Sequence, residues 1–191
     1  HMNGGDDRPA NGTHYDNILT AVYHLGLLLD AGFTFIRDMS AYSGALSRAV
    51  KRGMVRGPGI MPGGRMLSPT AGHADSSANV PHELTWLLSS TGGTADGVEG
   101  CLKAVRLQFR DGAEFIKICA TGGVSSELDG IEDVQFSDEE IAVMVAEAER
   151  HGTYVAAHCS NLAGTYQALI NGVKSIEHGV ELDDRCIAIM K

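Results

Sequence analysis

From Gly97 to the last residue, helix-patterned and strand-patterned runs alternate without a break, and no other feature restricts the fold as much. "GVEGCLKAVRLQFRDG" spaces its apolar residues for a helix and closes on Gly112, and "AEFIKICA" follows as a short apolar run. "SDEEIAVMVAEAERHG" is helical again. Ser137 and Glu140 stand at capping-box spacing, acids fill the first turn and Gly152 ends it. "TYVAAHCS", "LAGTYQALINGV", "KSIEHGV" and "DDRCIAIMK" then read as strand, helix, strand, helix. Upstream, "NILTAVYHLGLLLDAG" and "SGALSRAVKRG" are helical, "FTFIRDMS" is a strand, and a brief strand surrounds Ile60 and Met61. Five strands separated in this way predict an α/β fold with parallel pairing and right-handed crossovers. An open doubly wound sheet and a (β/α)8 barrel both satisfy the pattern. No G-x-G-x-x-G follows any strand, so a dinucleotide fold lacks its usual mark.

A length of 191 residues suits one domain, or most of a larger one. His1 and Met2 read as a cloning remnant, leaving residues 3–191 as a single domain. The net charge of -9 argues against a nucleic-acid or anionic-membrane partner, and no run approaches the roughly 20 apolar residues of a membrane span. Cys101, Cys119, Cys159 and Cys186 are scattered with no C-x-x-C pair, which suits reduced thiols and a cytoplasmic location.

The polar residues fall at particular places. The strands end in Arg37-Asp38, Lys117, His158 and Glu177-His178, and the loop after the second strand adds His73 and Asp75. Parallel α/β folds put their chemistry at that end of the sheet. His158 and His178 lie 178 - 158 = 20 residues apart, about one strand-helix-strand unit, so they belong on adjacent strand tips. Paired imidazoles suit a borderline divalent metal. Lys117 either snorkels out of "EFIKICATGG" or belongs to the site as a desolvated, neutral amine able to take up carbon dioxide as a carbamate. Cys159 and Glu177, one residue from the histidines, should face the helices. Arg37 and Asp38 read as an ion pair at a strand end, "SSELDGIEDVQFSDEE" as a solvated loop and helix cap, and Tyr154 and Trp86 as packing residues.

"FIKICATGG", "AAHCSN" and "IEHG", in this order and spacing, resemble the metal-dependent amidohydrolase superfamily, in the branch of imidazolonepropionase-like enzymes and Xaa-Pro dipeptidases. "AGFTFIRDMS" resembles that branch's second barrel strand, and "GPGIMPGGRMLSPTAGHAD" its third strand and following loop. The resemblance runs from about residue 13 to residue 191. It implies a partial TIM-type (β/α)8 barrel made of strands two to six, lacking the first and the last strands. Lys117 would be the carboxylated bridging lysine, His158 and His178 metal ligands, and His73 a substrate-side residue. Zinc is the default metal, carbon dioxide the source of the carbamate, and a small amide, cyclic amide or dipeptide the substrate.

Two family features have no counterpart: the sequence contains no His-x-His pair, and nothing corresponds to the eighth-strand aspartate that serves as ligand and proton shuttle. The catalytic residue is therefore unassigned, and the expectation is a fragment that is weak or inactive alone, with open sheet edges that invite self-association. Two rival readings stand beside it. A Schiff-base aldolase would use Lys117 as nucleophile but gives "AHCSN" and "IEHG" no role. A non-catalytic binding domain would keep only the pocket.

Overall fold

The computed structural model describes residues 14–75, 81, 83, 93–124, 126 and 128–191. Trp86 lies outside them. The elements follow the chain as α1 (His14–Asp30), β1 (Phe35–Asp38), α2 (Ser43–Lys51), β2 (Gly59–Pro62), α3 (Gly97–Asp111), β3 (Ile116–Cys119), α4 (Asp138–Arg150), β4 (Val155–Cys159), α5 (Leu162–Ile170), β5 (Ser175–His178) and α6 (Asp184–Met190). All strand pairs are parallel: β1 with β2, β3 with β4, and β4 with β5. The two groups of strands meet where Glu114 N–H donates to Pro62 O at 2.6 Å. Leu67 then threads alongside β3, donating to Lys117 O and accepting from Cys119 N–H at 2.9 and 2.8 Å. Among the described residues a two-stranded and a three-stranded parallel sheet thus follow one another as a curved wall with helices on its outer side, a partial TIM-type barrel that does not close.

Register divides the wall into two faces. Ile116, Ile118, Val155, Ala157 and Cys159 point outward into a cluster with Ala104 and Val105 of α3, Ile141, Met144, Val145 and Ala148 of α4, and Ala168 of α5. Side chains of this size contribute about 1.5–3 kcal/mol each on full burial. Lys117, Ala156 and Ser175 are register partners on the inner face, and Cys119, His158 and Glu177 form the next layer. Every residue of β3 and β4 is buried, which is why both read as nearly continuous apolar runs. A smaller cluster of Ala21, Leu25, Leu46 and Ile60 joins α1, α2 and β2.

Helix ends follow their local chemistry. Ser137 accepts from Glu140 N–H while the Glu140 carboxylate accepts from Ser137 N–H, which completes the capping box of α4. Gly112, at φ 99°, ends α3 in the left-handed region that a side chain would strain. Arg106 of α3 donates to buried Glu147 of α4 at 2.7 Å. Tyr154 stacks on fully buried Phe115 with centroids 5.6 Å apart, the packing role expected of it.

Cys101, Cys119, Cys159 and Cys186 are all free and buried. Burial pushes the thiols of Cys101 and Cys159 up to about 12 and that of Cys119 to about 11. Cys159 packs into the helix-facing core as the alternation predicted. Among the described residues no helix is long and apolar enough to cross a membrane.

Replacing Ser137 with Ala should cost about 1 kcal/mol, because it removes the acceptor for an orphan N–H at the start of α4. Equilibrium denaturation in urea measures this. An unchanged midpoint would mean that α4 is held by its packing alone.

Candidate metal centre

Lys117 sits on the inner face of β3 and is 2% exposed, so it does not snorkel. Its ammonium has one weak acceptor, Ile118 O at 3.4 Å. Burial drives its pKa below the usual lysine value; the Cys119 thiol and Glu177 oppose the shift and the Arg37 guanidinium adds to it. Its register partners Ala156 and Ser175 are small and leave room for the long stem. The sequence dilemma resolves in favour of a desolvated amine.

His158 lies one strand over, in register with Cys119 and on the same face. Its Nε2 is 3.1 Å from Gly122 O and 3.0 Å from Ser160 Oγ. A carbonyl can only accept, so this contact requires the proton on Nε2 and leaves the Nδ1 lone pair free for a cation. Burial, reinforced by the nearby Lys117, lowers its pKa from the ordinary 6.5 to about 4. The ring is neutral at physiological pH, the form that ligates metals.

His178 ends β5, and its ring meets that of His158 edge-on at 4.6 Å. Strict alternation would send His178 toward the helices. Its backbone instead takes a left-handed φ of 71°, uncommon outside glycine, which turns the side chain into the mouth beside His158. Burial, with Lys117 second, lowers its pKa as well.

His73, from the loop after β2, stacks on His158 at 4.4 Å with the rings 24° apart. Three features hold it there. Its Nδ1 is 3.1 Å from Asp129 Oδ2, its backbone N–H donates to Gln135 Oε1 at 3.0 Å, and Gly123 leaves the ring its space. A Cβ at Gly123 would fall 2.3 Å from the imidazole. Asp129 also accepts from Gly123 N–H at 2.9 Å. Burial alone would raise the Asp129 carboxyl, but hydrogen bonds from Ser126 and Gly123 and the nearby His73 outweigh it, so its pKa falls.

Three readings made from sequence change here. The acidic stretch is not simply a solvated loop, because the Asp129 side chain is 2% exposed and anchors His73. Glu177 faces the lumen and not the helices, because its register partner is His158. Arg37 pairs with Glu177 at 2.8 Å and not with Asp38, which is buried and bonded to Ser40. No short motif marks Asp129 or the inward turn of Glu177; only strand register and the folding of the loop bring them in.

Among the described residues no three His, Cys, Asp or Glu side chains converge as a metal cage. The donors that do gather are neutral imidazole nitrogens and a desolvated amine, chemistry that fits part of the shell of a borderline divalent cation.

Residues 20–189 match the Amidohydrolase family, and the chain belongs to that family. Ochratoxinase of Aspergillus niger is 38% identical over 177 residues, which cover 85% of this chain and 36% of that protein. The solved structure of a prolidase complexed with N-methylphosphonate-L-proline has a TM-score of 0.84 and 36% identity, over 94% of this chain and 45% of its own. A Xaa-Pro dipeptidase with methionine bound in its active site gives 0.85 and 30%, over 96% and 46%. The chain thus spans less than half the length of each of these proteins. Members of the family generally use divalent metals.

The unfolded chain takes up the His158 proton near 6.5 and the folded, metal-free chain only near 4. Stability from this group is therefore present above pH 6.5 and lost as pH falls from 6.5 toward 4, by about 3 kcal/mol in all. Urea denaturation of metal-free protein across that window should show the loss, and His158→Gln should flatten the profile. Parallel profiles would show that His158 carries no such penalty.

Proposed function

We propose that the chain carries the central part of the metal site of a hydrolase acting on a C–N bond in a small amide, cyclic amide or dipeptide. The observation behind this reading is the lowered pKa of three desolvated groups: Lys117 on the inner face of β3, and His158 and His178 toward the ends of β4 and β5. The neutral Lys117 amine adds to carbon dioxide and releases a proton, leaving a carbamate whose anionic oxygens complete what two neutral imidazoles cannot. Lys117 as carbamate, His158 and His178 are then the metal ligands. Zinc is the default, and manganese, iron or cobalt suit the same donors. When bound, such a metal supplies Lewis acidity toward a substrate carbonyl and toward water.

The protein's own groups do the rest. His73, oriented by Asp129 and stacked on His158, faces the substrate side. Gly122 O fixes the His158 tautomer, and Ser160 Oγ lies beside the same nitrogen, a supporting role typical of groups just behind a metal's ligands. The names of the similar proteins (an ochratoxinase, a prolidase, a Xaa-Pro dipeptidase) support a small-molecule substrate. The 191-residue sequence holds no His-x-His pair and nothing matching the eighth-strand aspartate, so this chain by itself is weak or inactive. Among the described strands β1 pairs only with β2 and β5 only with β4, and this, with Phe33 and Phe35 exposed at β1, favours self-association. The acidic charge speaks against nucleic-acid or anionic-membrane partners, and the four free, buried cysteines favour a cytoplasmic location.

Elemental analysis after incubation with zinc and bicarbonate, compared with Lys117→Ala, tests the reading. The wild type should hold about one metal per chain and the variant none, since the anionic ligand is gone. With 13C-bicarbonate, a carbamate signal should appear only in the wild type. Protein that binds neither metal nor carbon dioxide would overturn the proposal.

A further inference from the structure

Glu177 and Arg37 enter neither the metal shell nor the helix-facing core, yet they are the best-connected charged pair inside the lumen. Arg37 Nη2 donates to Glu177 Oε2 at 3.0 Å and lies 2.8 Å from Oε1, and Arg37 Nη1 donates to Ser175 Oγ at 3.3 Å. Ser175 Oγ in turn donates to Glu177 Oε1 at 2.9 Å. One guanidinium on β1 thus grips both inward residues of the first three in β5, 138 and 140 positions away in sequence. Its other side lies over the ring of buried Phe115, 5.6 Å from the centroid, which fixes its plane.

The strand it grips is the least secured of the three in its sheet. β3 and β4 are buried throughout, whereas β5 is half-buried and ends in an exposed residue. Among the described strands β5 is hydrogen-bonded to β4 only. His178 directly follows Glu177, and its left-handed backbone leaves it little freedom to compensate for a sliding carboxylate.

We infer that Arg37 is a positioning residue for the candidate metal centre: through Glu177 and Ser175 it pins the tip of β5 across the lumen and holds the His178 ring against that of His158. The inference rests on the reading of His158 and His178 as ligands.

The test is zinc affinity of the full chain with bicarbonate, by competition with a chromophoric chelator, for wild type, Arg37→Met, Glu177→Gln and the exchanged pair Arg37→Glu/Glu177→Arg. Each single change should weaken binding about 10–100-fold, the range for groups that orient metal ligands. The exchanged pair should recover most of the loss, while melting of the metal-free protein stays close to wild type in all. Recovery by exchange distinguishes a positioning contact from general damage to the fold. Wild-type affinity in the single variants, or no recovery in a folded exchanged pair, would overturn the inference. If wild-type protein binds no zinc, the ligand reading fails by itself, and the clamp is then judged from histidine ring 15N spectra. His178 signals that move in Arg37→Met support it, and signals that stay overturn it.

Discussion

Four strand-to-strand steps separate β1 from β5. In a flat sheet these steps, at about 4.8 Å each, would put the two strands roughly 19 Å apart. Arg37 and Glu177 nevertheless touch. The pair can form only if the wall curls, and in a ring of eight strands those four positions apart face each other across the diameter. Curvature comes from the twist of parallel strands and from helices packed on the outer face, and the ion pair shows how far it has gone. Partly exposed ion pairs of this kind contribute little to global stability. Its value is geometric, since it ties together two strands that share no backbone hydrogen bond.

The curl turns inner-face positions into an enclosed environment. Residues two apart on β3 and β4 share the lumen, so Lys117, Cys119, Ala156 and His158 lie in two stacked layers, while Ile118, Ala157 and Cys159 between them seal the outer face. Desolvation is the largest cause of the lowered values at Lys117, His158 and His178. One constraint, removal from water on a concave face, shifts an amine and two imidazoles toward their neutral forms. The loop contacts that select a tautomer at His158 and an orientation at His73 are then local refinements.

Much of this was legible in the sequence because period and punctuation are local. Apolar runs bounded by glycine located all five strands, and the spacing of Ser137 and Glu140 located a helix start to the residue. Lys117, His158 and His178 stood out because polar groups at the ends of apolar runs are costly unless used. What stayed hidden depends on register and on backbone handedness. Whether Glu177 or His178 faces inward is decided by pairing with β4 and by one positive φ, and neither leaves a mark in residue type. Asp129 lies in a stretch whose composition says solvent, and it stands 56 positions along the chain from the ring it anchors.

The four cysteines carry a consequence of a different kind. Each thiol is sealed away from solvent, and those of Cys101, Cys119 and Cys159 are held protonated far above neutral pH. A protonated, inaccessible thiol is a poor nucleophile and a poor target for peroxide. The cysteines of the folded chain are thus chemically quiet toward alkylating and oxidising reagents, and thiol chemistry begins only when the strands and helices part. Loss of structure and onset of thiol reactivity are therefore one event, and thiol labelling reports the opening of the fold.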